Sequence, residues 1–220
     1  MNFDPQFAVS IIPKILTTLH TTALATVLGC IGASFLGLTW EILRRSSRLF
    51  RPAIQIWIDF VRCTPILVQI YFMFFVLPEY GIRLPPFAVG TISLSIYYSG
   101  YLAEVFKGGI ETIPKGQFEA SRVLGLSRPQ LIWHIVLPQM FRNIAAPMGN
   151  YFVSLLKATP YLAVISVPEM LSISLEISSN TFRYTEPMLD VGLIFLTIAL
   201  IFSWMVRLLE RHLRVSRKAS

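Results

Sequence analysis

The chain has 220 residues, 54% of them hydrophobic and 14% charged, where a soluble domain carries about 25% charge. Together with a mean hydropathy of +0.62, this excludes an ordinary soluble enzyme and puts the chain in a membrane. The net charge of +7 does not mark a nucleic-acid binder, because the bases fall in clusters between apolar runs, where charge that sets membrane orientation belongs, and no basic–aromatic face is present.

The N-terminus lacks the basic region of a cleavable signal peptide. A span takes ~20 mostly apolar residues, and on that measure the sequence predicts one all-α polytopic domain over 1–220 with five transmembrane helices. The first, 15–41, carries Gly29, Ala33 and Gly37 at four-residue intervals, a stripe that lets another helix approach closely. The second, 52–78, holds Asp59 and Arg62 three residues apart, on one helix face and positioned as a mutual pair. The third is 84–106. The fourth, 138–168, is predicted to break near 160, where Pro160 removes a backbone donor. The fifth is 187–208. Cys30 and Cys63 both read as core packing, without metal-ligand spacing or a disulfide framework.

Fourteen of the nineteen Lys and Arg residues lie at 44–51, 107–142 and 207–218. With five spans these segments share one side, which the positive-inside rule makes cytoplasmic. The N-terminus is then outside and the C-terminus inside.

The loop 111–130, between spans three and four, predicts a helix, a glycine stop and a capped restart. Pro114 suits a first helical turn, Gly125 the left-handed position after a helix, Ser127 an N-cap, and Pro129 the next first turn. By composition alone this could be a surface helix lying passively on the bilayer. The order of residues argues for a helix that docks in a partner's groove: Ala103-Glu-Val-Phe-Lys-Gly-Gly-Ile110, Ile113-Pro-Lys-Gly-Gln117, Glu119-Ala-Ser-Arg-Val-Leu-Gly125 and Leu137-Pro-Gln139. The stretch 119–125 resembles the cytoplasmic "EAA" coupling loop of importer-type ABC transporter permeases. With Arg62-Cys-Thr-Pro-Ile-Leu-Val-Gln69, Asn150, Leu155-Leu-Lys157 and Thr181-Phe-Arg-Tyr-Thr-Glu-Pro187, residues 52–190 resemble the polar amino acid permeases of the histidine/glutamine/arginine/opine branch. The resemblance implies an ATPase-coupling role for Glu119, Ala120, Ser121, Gly125 and Leu126. It also implies two ABC ATPase subunits that use ATP and Mg, an identical or similar second permease, an external substrate-binding protein, and a home in the bacterial cytoplasmic membrane. Two departures stand out. The family's Lys-Asp-Thr-Ser-Leu is here Lys157-Ala-Thr-Pro-Tyr161, which removes an acid suited to a cationic ligand. The second alanine after the glutamate is Ser121.

The chain has no phosphate cradle of the G-x-x-x-x-G-K-[ST] type and no metal-ligand cluster, so no catalytic or metal-binding residue is expected. Ionisable residues at span depth are functional candidates by default. Lys157 and Glu169 are the strongest, with Thr159, Tyr98 and Ser99 as polar neighbours for an amino acid substrate. Lys157 or Glu169 could equally satisfy backbone at the helix break. A self-sufficient secondary transporter or channel is the competing function, though such folds usually show paired internal repeats.

Overall fold

A computed structural model describes the backbone of residues 3–218 and the side chains of residues 3–211; every regular element among them is helical. The side chains of the basic tail beyond 211 lie outside the described residues.

Helix α1 spans Pro5–Leu16, a helix that the sequence reading did not foresee. Asp4 caps it, accepting hydrogen bonds from the Gln6 and Phe7 amides at 3.0 and 3.2 Å. Arg183 reaches Asp4 at 3.3 Å and Glu186 at 2.5 Å, and lies 4.3 Å over the Phe7 ring. These contacts clamp α1 to the corner between α9 (Met170–Thr181) and α10 (Thr185–Lys218). The Phe7 amide and Arg183 hold the Asp4 carboxyl below its usual range. The clamp's contribution is therefore present above the unfolded pKa and is lost as pH falls through the folded one.

Helix α2 (Leu19–Ser46) runs parallel to α5 (Pro86–Glu111), and the small residues of the first span are the reason they come so close. A Cβ at Gly37 would lie 2.9 Å from the Ser99 carbonyl oxygen and the Leu102 side chain, and one at Gly29 would press on Leu155. Gly32 adds a further point of approach: a Cβ there would sit 2.3 Å from Ser95 Oγ. Ala33 is fully buried in the same seam.

The second predicted span is two elements. Helix α3 (Arg51–Cys63) meets α4 (Ile66–Tyr71) at 100°. Pro65 pushes Thr64 into extended backbone. Gln69 then closes the corner by donating to the Val61 and Thr64 carbonyls at 2.8 and 3.3 Å. Helix α4 continues through a π turn at Phe72–Val76 and a 3-10 turn at Leu77–Tyr80. Cys63 is exposed beside this corner rather than packed in a core, while Cys30 is buried as expected.

After α5 come the short α6 (Lys115–Val123) and α7 (Arg128–Leu131), and a π turn leads into α8 (Leu137–Ala158). Helix α8 runs antiparallel to α5, with Gly109 against Ile144, Tyr98 against Ser154 and Gly90 against Leu162. Helix α10 returns antiparallel to α8, Gly149 fitting against Val206. The expected break at Pro160 is present and longer than the proline alone requires. A 3-10 turn fills Thr159–Ile165, Ser166 is left-handed at φ 60°, and α9 departs at 46°. Among the described residues two helices, Leu19–Ser46 and Thr185–Arg211, are long and apolar enough to cross a membrane, or up to four spans if each bent pair counts as one; α5 is not among them.

Gly37→Val should force α2 and α5 apart, at about 1–3 kcal/mol for overpacking, and lower the thermal midpoint of the purified protein. Gly108→Ala, at a site with open space around it, should leave that midpoint unchanged or raise it. Equal midpoints for Gly37→Val and wild type would contradict this packing.

Candidate functional site

Three constellations lie along α5. At the α6 end, the rods α6 and α7 meet at a tight corner. Gly125 takes the left-handed conformation at φ 68°, which a side chain there would strain. The Leu126 amide donates to the Ser121 carbonyl at 3.0 Å, closing the α6 end. Gln130 Oε1 accepts from the Ser127 amide and hydroxyl, both at 2.9 Å, starting α7. Pro114 sits at the N-cap of α6, one residue ahead of the expected first turn. Glu119 and Ala120 are exposed, and Val123 and Leu124 stand out at 88% and 73% exposure. Ser121, for which the resemblance implies a coupling role, is turned inward: it is 2% exposed, and its hydroxyl donates to the Phe118 carbonyl. Leu126 is half-buried. The C-cap of α5, Thr112, just ahead of α6, is tied to α8 by Asn143, which donates to Thr112 Oγ1 at 2.9 Å.

Just above these rods lies a buried charge network. Arg44, read from sequence as loop charge, is 4% exposed inside the bundle. It bonds Glu41 of its own helix, Gln55 of α3 at 2.7 Å and Glu104 of α5 at 2.5 Å. Arg45 also binds Glu41, and Lys107 lies 3.5 Å from Glu104. Burying a carboxylate as deeply as Glu41 is tolerable only with partners of this kind. The network joins α2, α3 and α5 at one end.

Further along α5 is an aromatic face. Tyr97 and Tyr101 are half-buried, their rings 5.3 Å apart and their hydroxyls 3.2 Å apart. Tyr151 of α8 lies 5.3 Å from Tyr101, and the Arg62 guanidinium stands 5.3 Å over the Tyr101 ring. Tyr98 shares a hydrogen bond of 3.1 Å with Ser154. Lys157 is exposed one turn beyond Ser154, on the same helix face.

The other predicted path residues separate from this group. Ser99 turns toward α2, donating to the Ile96 carbonyl and accepting from Trp40 Nε1 at 3.1 Å. Thr159 is fully buried and donates to the Leu156 carbonyl. Glu169 is fully buried as the cap of α9, accepting from the Ser172 amide at 2.7 Å through Oε1, while its Oε2 is unpartnered. The sequence reading missed Arg62, Tyr101 and Tyr151 as one group. They converge only through the α3–α4 corner, whose signal, Pro65 followed four residues later by Gln69, lay inside the motif 62–69.

The family described as "Binding-protein-dependent transport system inner membrane component" matches residues 25–215. A probable amino-acid ABC transporter permease protein of Sinorhizobium fredii is 39% identical, the alignment covering 96% of this chain and 92% of the relative. The glutamine transport system permease protein of Escherichia coli is 32% identical, covering 98% of this chain and 100% of the relative. Among solved structures, the crystal structure of an amino acid ABC transporter with histidines superposes with a TM-score of 0.89 at 30% identity, covering 96% of this chain and 100% of that one.

Arg44→Met leaves Glu41 buried beside Arg45 alone and strips Glu104 of its closest partner. It should cost about 3–5 kcal/mol, seen as a lowered thermal midpoint. Adding Glu41→Gln should recover part of the loss. A midpoint unchanged by Arg44→Met would contradict the network.

Proposed function

The chain belongs to the family of inner membrane components of binding-protein-dependent transport systems, and from that membership we propose that it is the permease subunit of an ATP-driven importer for a polar amino acid or related small zwitterion. The observation that carries this reading is the family match across residues 25–215. Relatives over nearly the whole length are amino-acid and glutamine permeases, so glutamine is the first substrate to test. ATP hydrolysis belongs to a separate ATPase subunit. The competing reading, a self-sufficient secondary transporter or channel, falls with the family membership.

In this proposal the chain crosses the inner membrane five times: α2, α3 with α4, α5, α8 with its broken continuation, and α10. The N-terminus lies outside and the α6 end lies in the cytoplasm, in line with the basic clusters. Two ATPase subunits, which hold ATP and Mg, take α6 into surface grooves. The exposed Val123 and Leu124 fill the groove, Glu119 and Ala120 lie beside them, and Ser121, Gly125 and Leu126 keep the corner rigid. An identical or similar permease completes the membrane unit, and an external binding protein delivers the substrate.

A push on α6 reaches α5 directly through the buried Ile113, and α8 through Asn143 and Thr112. Those two helices carry the tyrosine face, so closing of the ATPase pair would shift both walls of the path at once. Tyr98 and Lys157 meet the substrate on that face. Glu169 adds negative potential near the helix break. Ser99 and Thr159 hold the wall from behind, through the hydrogen bonds they donate to carbonyls.

The test is reconstitution with the ATPase and the binding protein. Wild type should import glutamine or another polar amino acid only with ATP. Glu119→Lys and Gly125→Val should insert and assemble, yet lower uptake about tenfold or more relative to ATP hydrolysed, since a left-handed β-branched residue costs about 1–2 kcal/mol and deforms the corner. Normal uptake by both variants would remove α6 as the coupling element. For orientation, single cysteines at Ser47 and Gly81, in a chain lacking Cys30 and Cys63, should be protected from and labelled by an impermeant thiol reagent respectively. The reverse pattern would overturn the topology.

A further inference from the structure

We propose that Arg62, held over the Tyr101 ring, and the ring face of Tyr151 form an anchoring site for the α-carboxylate and α-ammonium of the transported amino acid, a second station on the path between Tyr98 and the α6 end. The proposal rests on the amino acid importer reading and names a ligand group and a site within it.

Arg62 is held in place by its backbone and its side chain makes little use of its own donors. Gln69 and Pro65 fix the corner that follows it, and the Tyr101 hydroxyl donates to its carbonyl at 3.3 Å. Its side chain passes Gly100 so closely that a Cβ there would lie 2.9 Å from Arg62 Cγ. These contacts aim the guanidinium over Tyr101, at 5.3 Å from the ring centre. Among the described residues the guanidinium makes no hydrogen bond, and its Nε is occluded and unpartnered. Its nearest carboxylate, Asp59, is 3.8 Å away, beyond hydrogen-bond reach, and Asp59 already accepts from Gln55 at 3.1 Å. Arg44 and Arg45, in contrast, are both engaged by Glu41.

An arginine fork that is 36% exposed and makes no hydrogen bond among the described residues fits a carboxylate through two parallel hydrogen bonds. The guanidinium takes up one face of Tyr101, and the neighbouring Tyr151 ring, 5.3 Å from Tyr101, offers a face that attracts an ammonium group. A guanidinium beside an aromatic face offers one partner to each charged end of the amino acid main chain, which all amino acids share. Such a site would hold any amino acid and leave selection among side chains to other parts of the system.

The test is equilibrium binding of radiolabelled L-glutamine, or the amino acid of highest uptake, to the purified permease–ATPase complex without binding protein. The same amino acid as its α-amide, which keeps the ammonium and loses the carboxylate, serves as competitor. Wild type should prefer the free acid. Arg62→Met should weaken the acid about 10- to 100-fold, as loss of a charge-assisted pair does, and abolish the preference over the amide, with Arg62→Lys in between. Tyr101→Leu should also weaken binding and Tyr101→Phe should not. Asp59→Asn should bind as wild type does. The inference is overturned if Arg62→Met binds acid and amide as wild type does, if Asp59→Asn reproduces its loss, or if wild type takes up the amino acid but binds none at millimolar concentration. Should the Arg62 variants not assemble, Tyr151→Leu decides: it should weaken acid and amide alike while Tyr151→Phe weakens neither, and wild-type binding by Tyr151→Leu would overturn the inference. Absence of ATP-dependent uptake of any amino acid by wild type would instead remove the importer reading itself.

Discussion

Hydrocarbon offers no hydrogen-bond partner, so each backbone group freed at membrane depth must be satisfied by the protein or face water. That constraint explains which side chains stand where this chain leaves the α-helix. At the α3–α4 corner Gln69 takes two carbonyls. At the second break Glu169 and Ser172 satisfy each other's amides. Hydroxyls inside the helices donate to carbonyls one turn back, as at Thr26, Ser93, Ser95, Ser174 and Ser178. With polar needs met locally, α2 and α5 are free to press together through glycine and alanine.

Charge follows the same logic and divides the chain into two bodies. One core surrounds α2, α5 and α8, with Leu94, Leu102, Phe106, Met140 and Leu155 at its centre. The Arg44 network closes its α6 end. A smaller core joins α1, α9 and α10 through Ile11, Ile15, Met170, Ile177 and Val191. The Asp4–Arg183–Glu186 clamp closes the opposite end of that body. Helices α6 and α7 adjoin the first body, and α10 links the two by packing against α8 at Gly149 and Val206.

The sequence made the helical membrane class, the long helix over 84–106, the glycine stripe, the break at Pro160 and the Gly125 corner legible, because each depends on local chemistry: hydropathy, close approach, a missing donor, a positive φ. It did not show that the second span bends by 100°, since a strongly apolar run reads the same whether straight or folded. Nor did it show that Arg44 points inward, because only the approach of Gln55 and Glu104 makes that burial tolerable. Lys157 and Glu169 were picked for their charge. Their separate fates, one exposed and one capping α9, were set by the length of the 3-10 turn between them, which a single proline does not specify. Helix spacing marks Arg62 and Asp59 as a mutual pair, and that ion pair is present at 3.8 Å; what helix spacing does not show is that the corner sets the guanidinium over Tyr101.

The central claim is that the tyrosine face of α5 and α8 lines an aqueous path rather than lipid. It is tested most directly by the reactivity of single cysteines, in the assembled complex and a background free of Cys30 and Cys63, toward a small water-soluble thiol reagent. Cysteines at Tyr97, Tyr151 and Lys157 should react, and their rates should change when ATP is added. Cysteines at Phe35 and Leu200, exposed apolar positions on α2 and α10, should stay unreactive in both states. Unreactive cysteines at all three tyrosine-face positions, with or without nucleotide, would contradict the account.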